Sequence, residues 1–155
     1  MLSILLAFLA RLLLVLLFLP FSALDKALNF SQATAQAQKQ AGALWLARLL
    51  IVGGLAVELF MSLGVLTGIA DRFAALVLAF YCVVTAVMWK QFWREPDFRL
   101  VGASQGREVF WDFLKNLAVA GGFLMLAFGA SAASVQSFLD APLASHHPYT
   151  QAGVP

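Results

Sequence analysis

LWLARLLIVGGLAVELFMSLGVLTGI, residues 44–69, is an apolar run interrupted by only two charged side chains, Arg48 and Glu58. A helix needs about 20 mainly apolar residues to cross roughly 30 Å of hydrocarbon at 1.5 Å per residue. The run is longer than that, so it predicts a transmembrane helix.

Three more runs of the same kind occur on either side, at residues 5–24, 73–92 and 113–133. The chain of 155 residues is 62% hydrophobic and 12% charged, whereas roughly a quarter of the residues of a soluble domain are charged. We therefore predict an all-α, polytopic membrane protein, a bundle of four transmembrane helices. Residues 1–133 form one domain, and residues 134–155 form a short polar tail, which we expect to be flexible.

Metal-dependent chemistry has few candidate ligands. The single cysteine, Cys82, lies within the third predicted span, and the two histidines, His146 and His147, lie in the tail. We therefore expect no cofactor held by metal ligands within the bilayer. Redox chemistry would require a diffusible cofactor such as a quinone, or a partner chain. We expect membrane lipid as a partner and no nucleic acid.

Glu58 is the residue that is most costly to place in a membrane. By helix geometry it lies about 21 Å from the start of its span and about 16 Å from the end. An acid there costs roughly 2.5–3.5 kcal/mol, so it should face the bundle interior. One interpretation is a structural pair with Arg11 or a hydrogen bond to a neighbouring helix. The others are a proton-exchanging, catalytic carboxylate beside a ligand cavity and a water-filled defect.

Cations and tryptophans concentrate on one side of the predicted bundle. Four spans put both termini on one face, and the first and third loops on the other, which we call the loop face. The positive-inside rule makes the loop face cytoplasmic and leaves the termini outside. The tryptophans there form either an interfacial aromatic belt or the mouth of a site for an amphipathic ligand. The candidate ligand-binding residues of this mouth are Lys26, Arg48, Trp89, Trp93, Lys115 and Asn116.

The stretch FLKNLAVAGGFLMLAFG, residues 113–129, resembles the fourth-span signature of DoxX-type membrane proteins. Other features agree in order: Arg11 and Lys26 at the two ends of the first span, Glu58-Leu59 in the second, Asp71-Arg72-Phe73-Ala74-Ala75 at the turn into the third, and Gln91-Phe92-Trp93 at its end. Three features depart from the family pattern. Ser22 stands where glycine is common, Met61-Ser62 interrupts the usual glycines after the glutamate, and Lys90 stands where histidine is frequent.

The resemblance implies a four-helix protein of the bacterial cytoplasmic membrane, in a family linked to quinone-dependent oxidoreductases and redox-stress complexes. The first hypothesis is a small quinone-interacting subunit of a membrane oxidoreductase, which is not an enzyme by itself. The second is a non-catalytic anchor or scaffold for a partner protein. The third is a small transporter or lipid-handling protein. We expect a partner subunit or a homo-oligomer.

Overall fold

A computed structural model describes residues 1–129, 131–145 and 148–149. Every regular element in this part of the chain is helical. The helices are α1 (Leu2–Val15), α2 (Ala23–Leu28), α3 (Phe30–Ala41), α4 (Leu44–Thr67), α5 (Asp71–Trp89), α6 (Gln105–Phe128) and α7 (Ala132–Asp140). Four segments are long and apolar enough to cross a membrane: Leu2–Leu28, Leu44–Thr67, Asp71–Arg94 and Gln105–Phe128. The predicted fold class, an all-α bundle of four spans, is confirmed.

The first span is broken in its middle. A π-helical turn, Leu17–Ser22, joins α1 to α2, and Leu19 within it has the extended angles φ −122° and ψ 112°. Pro20 causes the break, because proline has no N–H for the helix and excludes the preceding residue from the α conformation. The chain therefore leaves α1 in a new direction before Lys26.

The first loop is not an open connection. It contains α3, whose buried Ala37 packs with Ala47 and Ile51 of α4, and Trp89 of α5 adjoins this cluster. Gly42 ends the helix with φ +75°, a left-handed conformation that favours glycine. The loop face is therefore partly covered by a short helix that lies against α4.

The fourth span begins at Gln105, earlier than the predicted residue 113. Ser104 caps it by accepting a hydrogen bond from the Arg107 amide at 3.1 Å. Asp97 accepts the amides of Gln105 at 2.7 Å and Gly106 at 2.9 Å. These bonds satisfy donors that a helix start leaves free, and the helix can therefore begin in a polar stretch outside the hydrocarbon.

The core is formed where the first span meets α4, α5 and α6. Its largest fully buried apolar side chains are Phe123, Leu78, Val15 and Val65. Gly122 allows the first span to approach α6 closely, since an added Cβ would lie 2.7 Å from Leu14 Cδ2. Small residues favour such packing in membranes, where lipid replaces water as the solvent.

The described part of the tail lies against the termini end of the bundle. Arg72 donates to the carbonyl oxygens of Ser137 at 2.6 Å and Ala141 at 2.8 Å, and so holds the C-terminal end of α7. The Phe73 amide donates to Leu143 O at 3.2 Å. The flexibility expected for residues 134–155 stays a prediction, and His146 and His147 lie outside the described residues.

Candidate functional site

Glu58 lies on the inner face of α4. Its neighbours along that face are Ile51, Gly54, Ser62 and Val65, and all five residues are buried at spacings of three or four residues. This spacing places them on one side of a helix. Glu58, a residue that is 1% exposed, therefore faces the bundle interior.

Three side chains donate to one oxygen of Glu58. Lys26 Nζ lies 2.6 Å from Oε1, Tyr81 Oη 2.8 Å and Ser22 Oγ 3.0 Å. Lys26 Nζ also donates to Ser22 Oγ at 2.6 Å. The second oxygen, Oε2, is buried without a hydrogen-bond partner in the part of the chain that the structure describes. We call Glu58, Lys26, Tyr81 and Ser22 the Glu58 cluster.

The break at Pro20 explains how Lys26 reaches Glu58. Lys26 and Ser22 lie in the part of the first span that follows Leu19, and Tyr81 is on α5. The lysine is partly exposed, at 21% of its side chain, whereas Glu58 is enclosed. A buried carboxylate is stable only when paired and hydrogen-bonded, and the cluster supplies both conditions.

A cavity of about 620 Å³ adjoins the cluster. Glu58, Lys26, Ser22 and Tyr81 all contribute to its wall. Most of the remaining wall is apolar and comes from the first span, α4 and α5, with Ala33 and Gln36 contributed by α3. The cavity therefore combines a small group of hydrogen-bond donors and a carboxylate with an apolar interior, which suits an amphipathic ligand.

A second buried ion pair lies nearer the termini. Arg11 donates to Asp71 Oδ2 at 2.6 Å and to Val65 O at 2.8 Å. The Ser145 amide donates to Asp71 Oδ1 at 2.7 Å, and the Ser145 hydroxyl donates to Oδ2. The predicted Arg11–Glu58 pair is wrong: Arg11 lies level with the start of α5, and the broken first span presents Lys26 to Glu58 instead.

Only some of the residues predicted for the mouth line the cavity in the structure. Lys26, Trp89 and Asn116 line the cavity. Arg48 is exposed and does not line it, and Lys115, also exposed, donates to Asp112 Oδ1 at 3.2 Å. Trp93 packs its ring against Phe92 and Phe113, at centroid distances of 5.1 and 5.9 Å.

Tyr81 and Ser22 were not predicted as site residues. Tyr81 is a polar-tipped side chain within an apolar span, which is a usable signal because a buried tyrosine hydroxyl needs a partner. Ser22 gave a weaker signal, as a serine at a position where the family commonly has glycine. Asp71 was assigned only to a turn, and the sequence offered no sign of its pairing with Arg11.

The described residues contain no group of three or more His, Cys, Asp or Glu side chains that could hold a metal ion. The fold and the site define a multi-pass helical membrane protein with a lysine-paired carboxylate beside a cavity. The family model for DoxX matches residues 6–91, and the chain belongs to the DoxX family. The match includes the whole Glu58 cluster and the Arg11–Asp71 pair, whereas the motif at residues 113–129 lies beyond it. No curated protein and no solved structure matches the chain.

Proposed function

We propose that this DoxX-family protein is a small quinone-interacting subunit of a membrane oxidoreductase, and that its cavity holds the quinone head group. The single observation that carries the proposal is the Glu58 cluster in the wall of a mostly apolar cavity of about 620 Å³. This volume falls within the roughly 300–1,000 Å³ that is typical of small-molecule sites.

The chemistry of the cluster suits a ligand with carbonyl oxygens. A bound quinone accepts two electrons and two protons to become a quinol, with the electrons supplied by a partner subunit. Lys26 donates to Glu58 and Ser22 and has a third hydrogen that can bind a carbonyl oxygen. Tyr81 has a single hydroxyl hydrogen, which it donates to Glu58, so it can bind the ligand as a donor only by giving up that bond. Glu58 is a carboxylate that can hold or release a proton beside them. General acid–base groups must lie within hydrogen-bond reach of the reacting oxygen, and the position of Glu58, Lys26 and Tyr81 together in the cavity wall supports the proposal.

The proposal also specifies the membrane and the orientation of the protein in it. We propose the bacterial cytoplasmic membrane, with the loop face cytoplasmic, because the exposed cations Lys39 and Arg48 lie on that face. Cysteines introduced at these two positions should react with an impermeant maleimide only after the inner leaflet is made accessible. Labelling of intact cells from the outside would show that the loop face is extracytoplasmic, and would contradict the proposed orientation.

Direct binding tests the proposal. In a variant whose only tryptophan is Trp89, a cavity-lining residue, a benzoquinone should quench the fluorescence saturably in vesicles. Glu58→Gln, which keeps the shape but removes the charge, should weaken binding. Glu108→Gln makes the same change on the exposed surface and should not. Absence of saturable binding, or equal affinity in the wild type and Glu58→Gln, would refute the proposal.

An anchor for a partner protein is the second candidate, because the third loop exposes a small apolar surface. Leu100 is 63% exposed and Val101 85%. Purification in mild detergent, followed by mass spectrometry, separates the two functions. A partner lost on Leu100→Ser and Val101→Ser substitution, with no quinone bound, would favour the anchor. Stoichiometric quinone would favour the oxidoreductase subunit.

A further inference from the structure

The cavity reaches the outer surface of the bundle between the first span and α4. Leu17 and Leu49 both line it, yet these residues are 54% and 60% exposed. Gly53, also in the wall, is exposed on the same side of α4. We call this opening, bordered by Leu17, Leu49 and Gly53, the lateral window.

Two adjacent glycines show where α4 is open and where it is packed. A Cβ added at Gly54 would lie 3.0 Å from Tyr81 Oη, so this residue faces the Glu58 cluster. A Cβ added at Gly53 would meet no atom within 4 Å. Consecutive residues of a helix point about 100° apart, so Gly53 faces the window while Gly54 faces inward.

The depth of the window decides what lies outside it. Gly53 is nine residues from the start of α4 at Leu44, or about 14 Å along the axis. The hydrocarbon core is about 30 Å thick, so a span that enters the bilayer near Leu44 puts this position at the depth of the acyl chains. Glu58 lies about 7.5 Å further along the same helix. A molecule in the window would have its apolar end in lipid and its other end near the cluster.

We propose that the lateral window admits a ligand with a long apolar chain directly from the bilayer and leaves that chain in the lipid while the polar head contacts Lys26, Glu58 and Tyr81. The identity of the head as a quinone rests on the proposed function above. The ligand class is thereby narrowed to membrane-dissolved, long-chain molecules. A head group without the chain does not depend on the window, because Asp25 and Gln36 are exposed residues of the cavity wall and give the cavity a polar opening as well.

A bulky substitution at Gly53 tests the window without entering the packed interior. Gly53→Phe should fill it, and Gly121→Phe is the matched control, because Gly121 of α6 also has nothing within 4 Å of an added Cβ and does not line the cavity. The probes are a decyl-substituted benzoquinone and the same head group without the chain, measured by Trp89 quenching in vesicles.

Gly53→Phe should weaken binding of the decyl quinone about tenfold, equivalent to about 1.4 kcal/mol, and leave the chainless quinone and the control unchanged. Equal weakening of both quinones, or no weakening of either, would overturn the window. If neither quinone binds the wild type, the proposed function fails. A second measurement then tests, without any quinone, whether acyl chains enter the window. Lipids with brominated chains should quench Trp89 less in Gly53→Phe than in Gly121→Phe, and equal quenching would overturn it.

Discussion

Gly54→Ala should weaken the hydrogen bond between Tyr81 and Glu58, although Gly54 takes no part in that bond. The added Cβ would lie 3.0 Å from Tyr81 Oη and 3.6 Å from its ring. The hydroxyl is held 2.8 Å from Glu58 Oε1. The methyl group requires Tyr81 to move by a few tenths of an ångström. Because the contact is with the hydroxyl itself, we expect this shift to lengthen and weaken the bond to Glu58.

The expected change in the free energy of unfolding is the sum of two opposing contributions, the weakened hydrogen bond and the higher helix propensity of alanine. A hydrogen bond to a charged group contributes about 1.5–3 kcal/mol in soluble proteins, but membrane measurements average about 0.6 and reach about 1.7 kcal/mol. We therefore expect a loss of about 1.5 kcal/mol. Alanine is favoured over glycine in a helix by up to about 1 kcal/mol. Gly53→Ala carries the same propensity gain without the contact, so the difference between the two variants isolates the contact.

The free energy of unfolding, measured by circular dichroism in mixed micelles with increasing SDS, is the assay. Gly54→Ala should be less stable than Gly53→Ala by about 1.5 kcal/mol. In a Tyr81→Phe background, which has no hydroxyl, the difference should largely disappear, as in a double-mutant cycle. If Gly54→Ala is as stable as Gly53→Ala, or if Tyr81→Phe leaves the difference intact, the Tyr81–Glu58 bond does not act as described.

Three other variants or conditions test the two ion pairs and the start of α6. Lys26→Met should cost about 3–5 kcal/mol of unfolding free energy because Glu58 would be left charged and buried, whereas Lys115→Met at an exposed site should change it by less than about 0.5 kcal/mol; similar values for both would contradict the buried pair. Arg11→Met should cost a similar 3–5 kcal/mol, about as much as Lys26→Met, and a neutral result would mean that Asp71 does not depend on Arg11. Hydrogen bonds from two backbone amides hold the pKa of Asp97 below its ordinary value of 3.8; because the folded pKa is the lower one, the capping contribution is present above 3.8 and lost as pH falls through the folded pKa. The amides in the first turn of α6 should therefore lose protection from hydrogen exchange, after correction for intrinsic rates, as the pH falls through the folded pKa of Asp97. Constant protection would contradict the cap.

Hydropathy was sufficient to predict the four spans, because a run such as residues 44–69 can avoid water only in a bilayer. It was insufficient for the interior. Depth along a straight helix made Arg11 the nearest cation to Glu58, but Pro20 breaks that helix and redirects the segment that carries Lys26. The early start of α6 depends on Asp97, which is eight residues before Gln105 and joins it only in the folded chain. Neither effect has a periodic signal in the sequence.

The two buried acids differ in a way that separates structure from function. Asp71 has both oxygens occupied, by Arg11, by the amide of Arg72 and by both donors of Ser145. It has no acceptor left for a ligand and belongs to the packing of the termini end. Within the described part of the chain, all hydrogen bonds to the Glu58 carboxylate go to one oxygen, and Glu58 borders the cavity.

Both pairs also tie the first span to the rest of the bundle, through Arg11 to α5 and through Lys26 to α4. Lipid is as apolar as the side chains of the first span, so apolar burial contributes little to holding it, and polar contacts have more weight. A purely structural role would therefore account for Asp71 completely. It would not account for a carboxylate with one oxygen that has no hydrogen-bond partner among the described residues, a tyrosine that donates to its other oxygen and a partly exposed lysine in a cavity wall. For this reason we propose ligand chemistry for Glu58 and not for Asp71.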